Sequence, residues 1–167
     1  MVKAYISLVA GALIAFTVLT LSGCAEGTAS ANGEAAKAEK PAAWSQDWSS
    51  VQAAAKESGK PILILFTGSD WCPYCVRLEN NVLESQAFKD FAEDGVHLYV
   101  ADFLRRSEQP AAIERQNRAL AERYDFRGFP TLYAVAPDGE AIGKIPGYGG
   151  QPADAYVAEL RDLLKQR

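Results

Sequence analysis

From about residue 44 onwards the spacing of apolar residues divides the chain into a series of short elements. Trp48, Val51 and Ala55 recur at helical spacing behind Asp47, a good capping residue, and "GKP" supplies the stop, so a helix is predicted to about Ser58. Ile62 to Phe66 is an unbroken run of apolar β-formers, short enough for a central strand covered on both sides. After the loop "TGSDW", Cys75, Leu78 and Val82 fall at i, i+3 and i+7 and predict a helix opened by the two cysteines. "SQAFKDFAED" continues helically with Phe88 and Phe91 on one side, and Gly95 ends it. Val96 to Phe103 reads as a second strand, with Val96, Leu98 and Val100 alternating towards one face. A polar loop, "RRSEQP", precedes a helix from about Ala111 to Tyr124 whose buried side is Ile113, Leu120, Ala121 and Tyr124. "TLYAVA" and "EAIGKI" form two strands around the tight turn "PDG", and Tyr156, Leu160, Leu163 and Leu164 make the last helix amphipathic. The order α β α β α β β α predicts an α/β domain, a mixed sheet with helices on both faces.

The start of the chain has a different texture. Lys3, a mostly apolar stretch from Ala4 to Leu21 and then "LSGC" have the layout of a secretory signal. About 18 apolar residues would also suffice for a retained membrane anchor. "LSGC" resembles the lipobox of bacterial lipoproteins, which implies that residues 1–23 are removed and that Cys24 becomes a lipid-bearing N-terminus. On either reading the rest of the protein lies outside the cytoplasm, tied to a membrane. Ala25 stands where some envelopes read Asp as an inner-membrane retention signal, which favours the outer membrane. Residues 24–42 are small, polar and without hydrophobic periodicity, and read as a flexible tether. Residues 43–167 remain as one domain with one core, expected to be a monomer. The formal net charge of −4 offers no basic footprint for nucleic acid.

Cysteine usage narrows the chemistry. With Cys24 assigned to lipid, Cys72 and Cys75 have only each other. A zinc site needs two further ligands, and the chain has a single histidine, His97. Covalent haem needs a histidine directly after the second cysteine, where Val76 stands. As a structural staple, a disulfide closing a loop of two intervening residues removes little chain entropy. Redox cycling is the use that fits, and an oxidising compartment permits it. At the start of a helix, unpaired N–H groups and the helix dipole favour the Cys72 thiolate, and Pro73 suits the first turn. Cys72 is then the nucleophile and Cys75, one turn along, the resolving thiol. His97, in a strand about 20 residues past the pair, reads as structural, and Arg105, Arg106 and the charges of 114 to 123 as solvated faces. No soft-ligand set for copper is present.

"WCPYC" after a buried strand, "GFPT" before a later strand, a β-hairpin and a late glycine together resemble the thioredoxin fold, over roughly residues 44 to 167. "FTGSDWCPYCVRLENNVL" is similar to a group of extracytoplasmic thioredoxin-like proteins, many lipid-anchored, with an F-x-G-x-x-W-C-x-x-C loop. The resemblance implies a cis peptide bond before Pro130, which faces the cysteine pair, and a backbone at Phe129 that pairs with extended substrate. It implies that Gly147 lets substrate approach closely, and that Trp71, Pro73 and Tyr74 complete the contact surface. Trp71 as an ordinary core residue is the competing reading. Two departures stand out. Thioredoxin's buried aspartate is replaced by Leu65 or Phe66, leaving water, Asp70 or Asp102 to move the resolving proton. The Pro-Tyr between the cysteines is shared with glutaredoxins, although "GFP" and Trp71 are not.

The expected function is thus a lipid-anchored, extracytoplasmic thiol-disulfide oxidoreductase that reduces disulfides in polypeptides. Its redox group is the Cys72/Cys75 pair itself, without metal or organic cofactor. Since no nicotinamide or flavin fingerprint is present, electrons are expected from a membrane electron-transfer thiol donor. The alternatives are a disulfide-donating oxidase, a glutaredoxin-like enzyme and a non-catalytic module that holds extended peptides near Pro130.

Overall fold

The computed structural model describes residues 43–166. The signal segment, Cys24 and the tether lie outside them. Helix α1 is Trp48–Ser58; the Asp47 carboxylate accepts from the Ser50 N–H at its start, and Gly59, in the left-handed region at φ +69°, closes it. Strand β1, Ile62–Thr67, is buried at every position. It lies at the centre of a four-stranded sheet of order β2-β1-β3-β4, where β2 is His97–Asp102, β3 Thr131–Val135 and β4 Ala141–Pro146. β2 runs parallel to β1, whereas β3 is antiparallel to both β1 and β4.

Period-two alternation along β1 supplies two cores. Leu63 and Leu65 point to one face, where they meet Leu78, Val82, Phe88, Phe91 and Leu160; Ile62, Ile64 and Phe66 point to the other, with Val51, Ala55, Leu120 and Tyr124. Each fully buried side chain of this kind contributes roughly 1.5–3 kcal/mol relative to exposure. The helices therefore divide as α1 and α4 (Ala111–Arg123) on one face, and α2 (Pro73–Leu78), α3 (Gln86–Gly95) and α5 (Ala153–Leu164) on the other.

Three features differ from the pattern read in the sequence. Between the two helical stretches after β1, α2 widens into a π-helical turn, Glu79–Leu83, before Ser85 caps α3 by accepting from the Phe88 N–H. The buried stripe of α4 includes a polar residue, Asn117, which is 1% exposed. Its amide accepts from the Tyr99 hydroxyl at 2.6 Å and donates to the Asp102 carbonyl at 2.9 Å, so its burial is compensated. Ahead of α1, Ser45 bridges to Tyr99 in parallel, donating to the Leu98 carbonyl and accepting from the Val100 N–H, and covers the edge of β2.

Candidate active site

The buried strand β1 delivers the chain to the sheet's carboxyl end, where Trp71 N–H and Cys72 N–H both turn back to the Gly68 carbonyl. Cys72 is the N-cap of α2, with Pro73 as its first helical residue. Cys72 and Cys75 form a disulfide, Cα atoms 5.3 Å apart, and both are buried. The Cys72 sulfur accepts from the Cys75 N–H at 3.3 Å. When the pair is reduced, that donor and the helix end favour negative charge on the same sulfur. Between the cysteines, Pro73 and Tyr74 are exposed, and the Arg77 guanidinium lies 4.4 Å from the centre of the Tyr74 ring.

Three consecutive residues before Cys72 are anchored to the segment that leaves β2. Ser69 donates its N–H and hydroxyl to the two carboxylate oxygens of Asp102, at 3.0 and 2.5 Å. The Asp70 carboxylate accepts from the backbone N–H groups of Arg106, Ser107 and Arg105, at 2.7, 2.9 and 3.1 Å. Trp71 donates its indole N–H to the Phe103 carbonyl at 2.7 Å. Both carboxylates thus fix the loop before Cys72 in place. Desolvation pushes Asp70 up, but the three N–H donors outweigh it and hold the carboxyl below its ordinary range. The carboxyl whose proton affinity is raised is Glu79, one helical turn beyond Cys75, through burial first and then the charges of Glu84 and Asp102.

Gly68 makes this loop possible. A Cβ there would overlap the Trp71 indole at Cε2 and Nε1. Gly68→Ala is therefore expected to push the indole off Phe103, lowering stability by about 1–3 kcal/mol and the exchange rate about tenfold. Denaturant unfolding and a disulfide-reduction assay check both; a variant unchanged in each would show that the loop absorbs the methyl group.

The second wall comes from the same end of the sheet, where antiparallel β3 opens with Thr131 opposite Phe66. The Phe129–Pro130 peptide bond is cis, Pro130 is buried, and Phe129 is half-buried directly before β3. The Phe129 ring meets Trp71 edge-on with centroids 5.2 Å apart, and also touches Phe103 and Phe126. Trp71 is thus a half-buried wall residue, with the Arg105 guanidinium 3.5 Å over its free face. Gly147 donates its N–H to the Pro130 carbonyl at 2.7 Å and adopts φ +71°, which accounts for a glycine there on backbone grounds. On the Gly147 side, a groove of about 370 Å³ is lined by Phe129, Thr131, Lys144 and Pro146. The Trp71 side opens into a cavity of about 570 Å³ that reaches Phe103, Arg105 and Gln109. His97 lies at the far end of β2 from this site, bonded through Nε2 to the Ser58 hydroxyl at 2.8 Å, where burial and then Lys60 hold it below the ordinary imidazole range.

A family model described as a thioredoxin-like domain matches residues 48–164. The chain is similar to the disulfide bond reductase DsbH of Chlamydia pneumoniae, with 34% identity over 163 residues, 93% of this chain and 95% of that protein. A solved structure of a DsbH oxidoreductase superimposes with a TM-score of 0.71 at 31% identity, over 78% of this chain and 89% of its own. A thioredoxin from Thermus thermophilus, 22% identical, shares the fold with a TM-score of 0.52, over 70% of this chain and 83% of its own.

Proposed function

The chain belongs to the thioredoxin-like family, and on that premise we propose that it reduces disulfide bonds of polypeptides outside the cytoplasm. Thiol-disulfide exchange is its chemistry. The observation that carries the reading is the Cys72–Cys75 disulfide at the mouth of α2, with the Cys75 N–H aimed at the Cys72 sulfur.

In the reduced protein the Cys72 thiolate attacks one sulfur of a substrate disulfide. A Cys72–substrate bond forms as the substrate S–S bond breaks, and one substrate thiolate leaves. Cys75 then gives up its proton and attacks the Cys72 sulfur, which closes the Cys72–Cys75 disulfide and expels the second substrate thiolate. Two electrons pass to the substrate, whose thiolates take protons from water or from Cys75. Trp71, Pro73, Tyr74, Phe129, Pro130 and Gly147 form the contact surface, with the Phe129 backbone pairing to extended substrate beside the groove at Gly147. A dithiol donor must restore the pair, and a membrane electron-transfer protein is the class that supplies one.

The reductive direction is supported by the similarity to a disulfide bond reductase. That similarity takes in 93% of this chain and so extends ahead of residue 43. We read residues 1–23 as a lipoprotein signal, Cys24 as the lipidated residue, residues 24–42 as a tether and residues 43–167 as the working domain of a monomer, held to the envelope with the outer membrane favoured. The reduction potential of the Cys72/Cys75 couple tests the direction, by equilibration in glutathione or dithiothreitol buffers. A value near about −270 mV is expected of a reductase, whereas one near about −120 mV would make the protein a disulfide donor.

A further inference from the structure

We infer that the surface around Cys72 selects substrate disulfides flanked by acidic residues, with Arg77 and Arg105 as the carboxylate receptors; the inference rests on the reductase reading above. The chain is acidic overall, with a formal net charge of −4. The mouth of the cysteine pair is not. Arg77 lies on Tyr74, between the cysteines, and Arg105 lies on Trp71, directly before Cys72. Arg106 follows Arg105 in the same exposed loop, and Lys144 stands in the groove on the opposite side of Phe129, its ammonium 3.2 Å from the Tyr133 hydroxyl.

Among the described residues, ion pairs join Arg118 to Glu114, Arg127 to Asp125 and Lys165 to Asp162, and none engages these four cations. The nearby acids are committed elsewhere or stand apart. Asp70 is filled by three backbone N–H groups and Asp102 by Ser69, while Glu79 and Glu84 line a separate cavity on the far side of Asp102. Glu108 is the remaining unpaired carboxylate on the Arg105 cavity, set against two arginines of the same loop.

Stacking gives these arginines a receptor's geometry. A guanidinium held over an aromatic ring is covered on that side, keeps N–H groups for a ligand and is ordered before any ligand arrives. A carboxylate fits those groups with two parallel hydrogen bonds. Because the two rings flank Cys72 along the chain, an extended substrate whose cysteine meets Cys72 brings its neighbours on either side towards Arg77 and Arg105. The same cations draw acidic chains to the site and favour the substrate thiolate that leaves. The occupant is thus a polypeptide with Asp or Glu beside its disulfide cysteine.

The test uses three synthetic disulfide-linked peptides identical but for Glu, Gln or Lys on both sides of the cysteine. The full chain is reduced, freed of reductant and mixed with each, and the second-order rate of peptide reduction is followed by acid quench and alkylation. The Glu peptide is expected to react about ten times faster than the Lys peptide at low ionic strength, the ratio falling towards one as salt screens the exposed charges. In Arg77→Glu/Arg105→Glu the Glu-to-Lys ratio should drop below one. Any change in the cysteine's own reactivity cancels in that ratio. Equal wild-type rates for all three peptides, or a ratio unmoved by the double reversal, would overturn the selection while leaving the reductase intact. Failure to reduce any of the three would instead remove the reductase reading, and the selection with it.

Discussion

Cys72→Ser is expected to abolish disulfide exchange to the limit of detection, and Cys75→Ser to halt it midway with the substrate covalently held. The asymmetry follows from the two positions on α2. Cys72 caps the helix, and its sulfur receives the Cys75 N–H, so it is the sulfur whose negative charge the backbone stabilises. A serine hydroxyl in that place remains protonated and cannot open a disulfide. Without Cys75 the first step still runs, but no second thiol frees the mixed disulfide, which should accumulate in a one-to-one adduct on non-reducing gels and by mass. Trapping through Cys75 in the Cys72→Ser protein would reverse the assigned roles. Continued turnover by either single variant would remove the two-cysteine mechanism altogether.

Phe66→Ala is the substitution expected to cost the fold most, about 3–5 kcal/mol by the usual scale for emptying a buried aromatic site. Phe66 is fully buried. It stacks on Phe126 at 4.7 Å and meets Tyr133 edge-on at 5.4 Å, while Phe126 touches Phe129 at 4.6 Å and Phe129 touches Trp71. A continuous aromatic wall thus runs from the central strand to the lip of the cysteine site. A domain of this size has about 5–15 kcal/mol of stability to lose. Urea unfolding of Phe66→Ala should show that fall and Phe66→Leu should recover much of it. A loss below about 1 kcal/mol would mean that the neighbouring rings collapse into the gap. Phe66→Asp should fold worse than Phe66→Ala, because the carboxyl would lie among the rings of Phe103, Phe126 and Tyr133, the Tyr133 hydroxyl already donating to the Asp125 carbonyl.

Much of this was legible in the residues because it is local. Asp47 and Gly59 mark the ends of α1 by capping chemistry alone, and the unbroken run Ile62–Phe66 identifies a strand buried on both faces. The cysteine pair needs only its spacing, its helix and the shortage of other ligands to read as redox-active. What escaped was long-range. Nothing in "SDW" shows that Asp70 will meet three N–H groups some 35 to 37 residues away, since that contact exists only once β1 and β2 lie side by side. Asn117 was hidden for the same reason, because its partners Tyr99 and Asp102 lie on another element. The π-helical turn has no compositional mark in "ENNVL" beyond the apolar pair Val82 and Leu83, which it turns inward.

Trp71 has a consequence of an optical kind. It is the residue next to a sulfur that changes oxidation state, and its ring is fixed on three sides by the Phe103 carbonyl, Phe129 and Arg105. The other two tryptophans sit elsewhere, Trp44 stacked on Phe88 and Trp48 against Tyr99. A disulfide quenches a neighbouring indole and a dithiol does so less, so the emission of Trp71 is expected to rise and fall with the electrons on the pair. The protein is in this sense its own indicator dye, and its redox state is readable by light without a label.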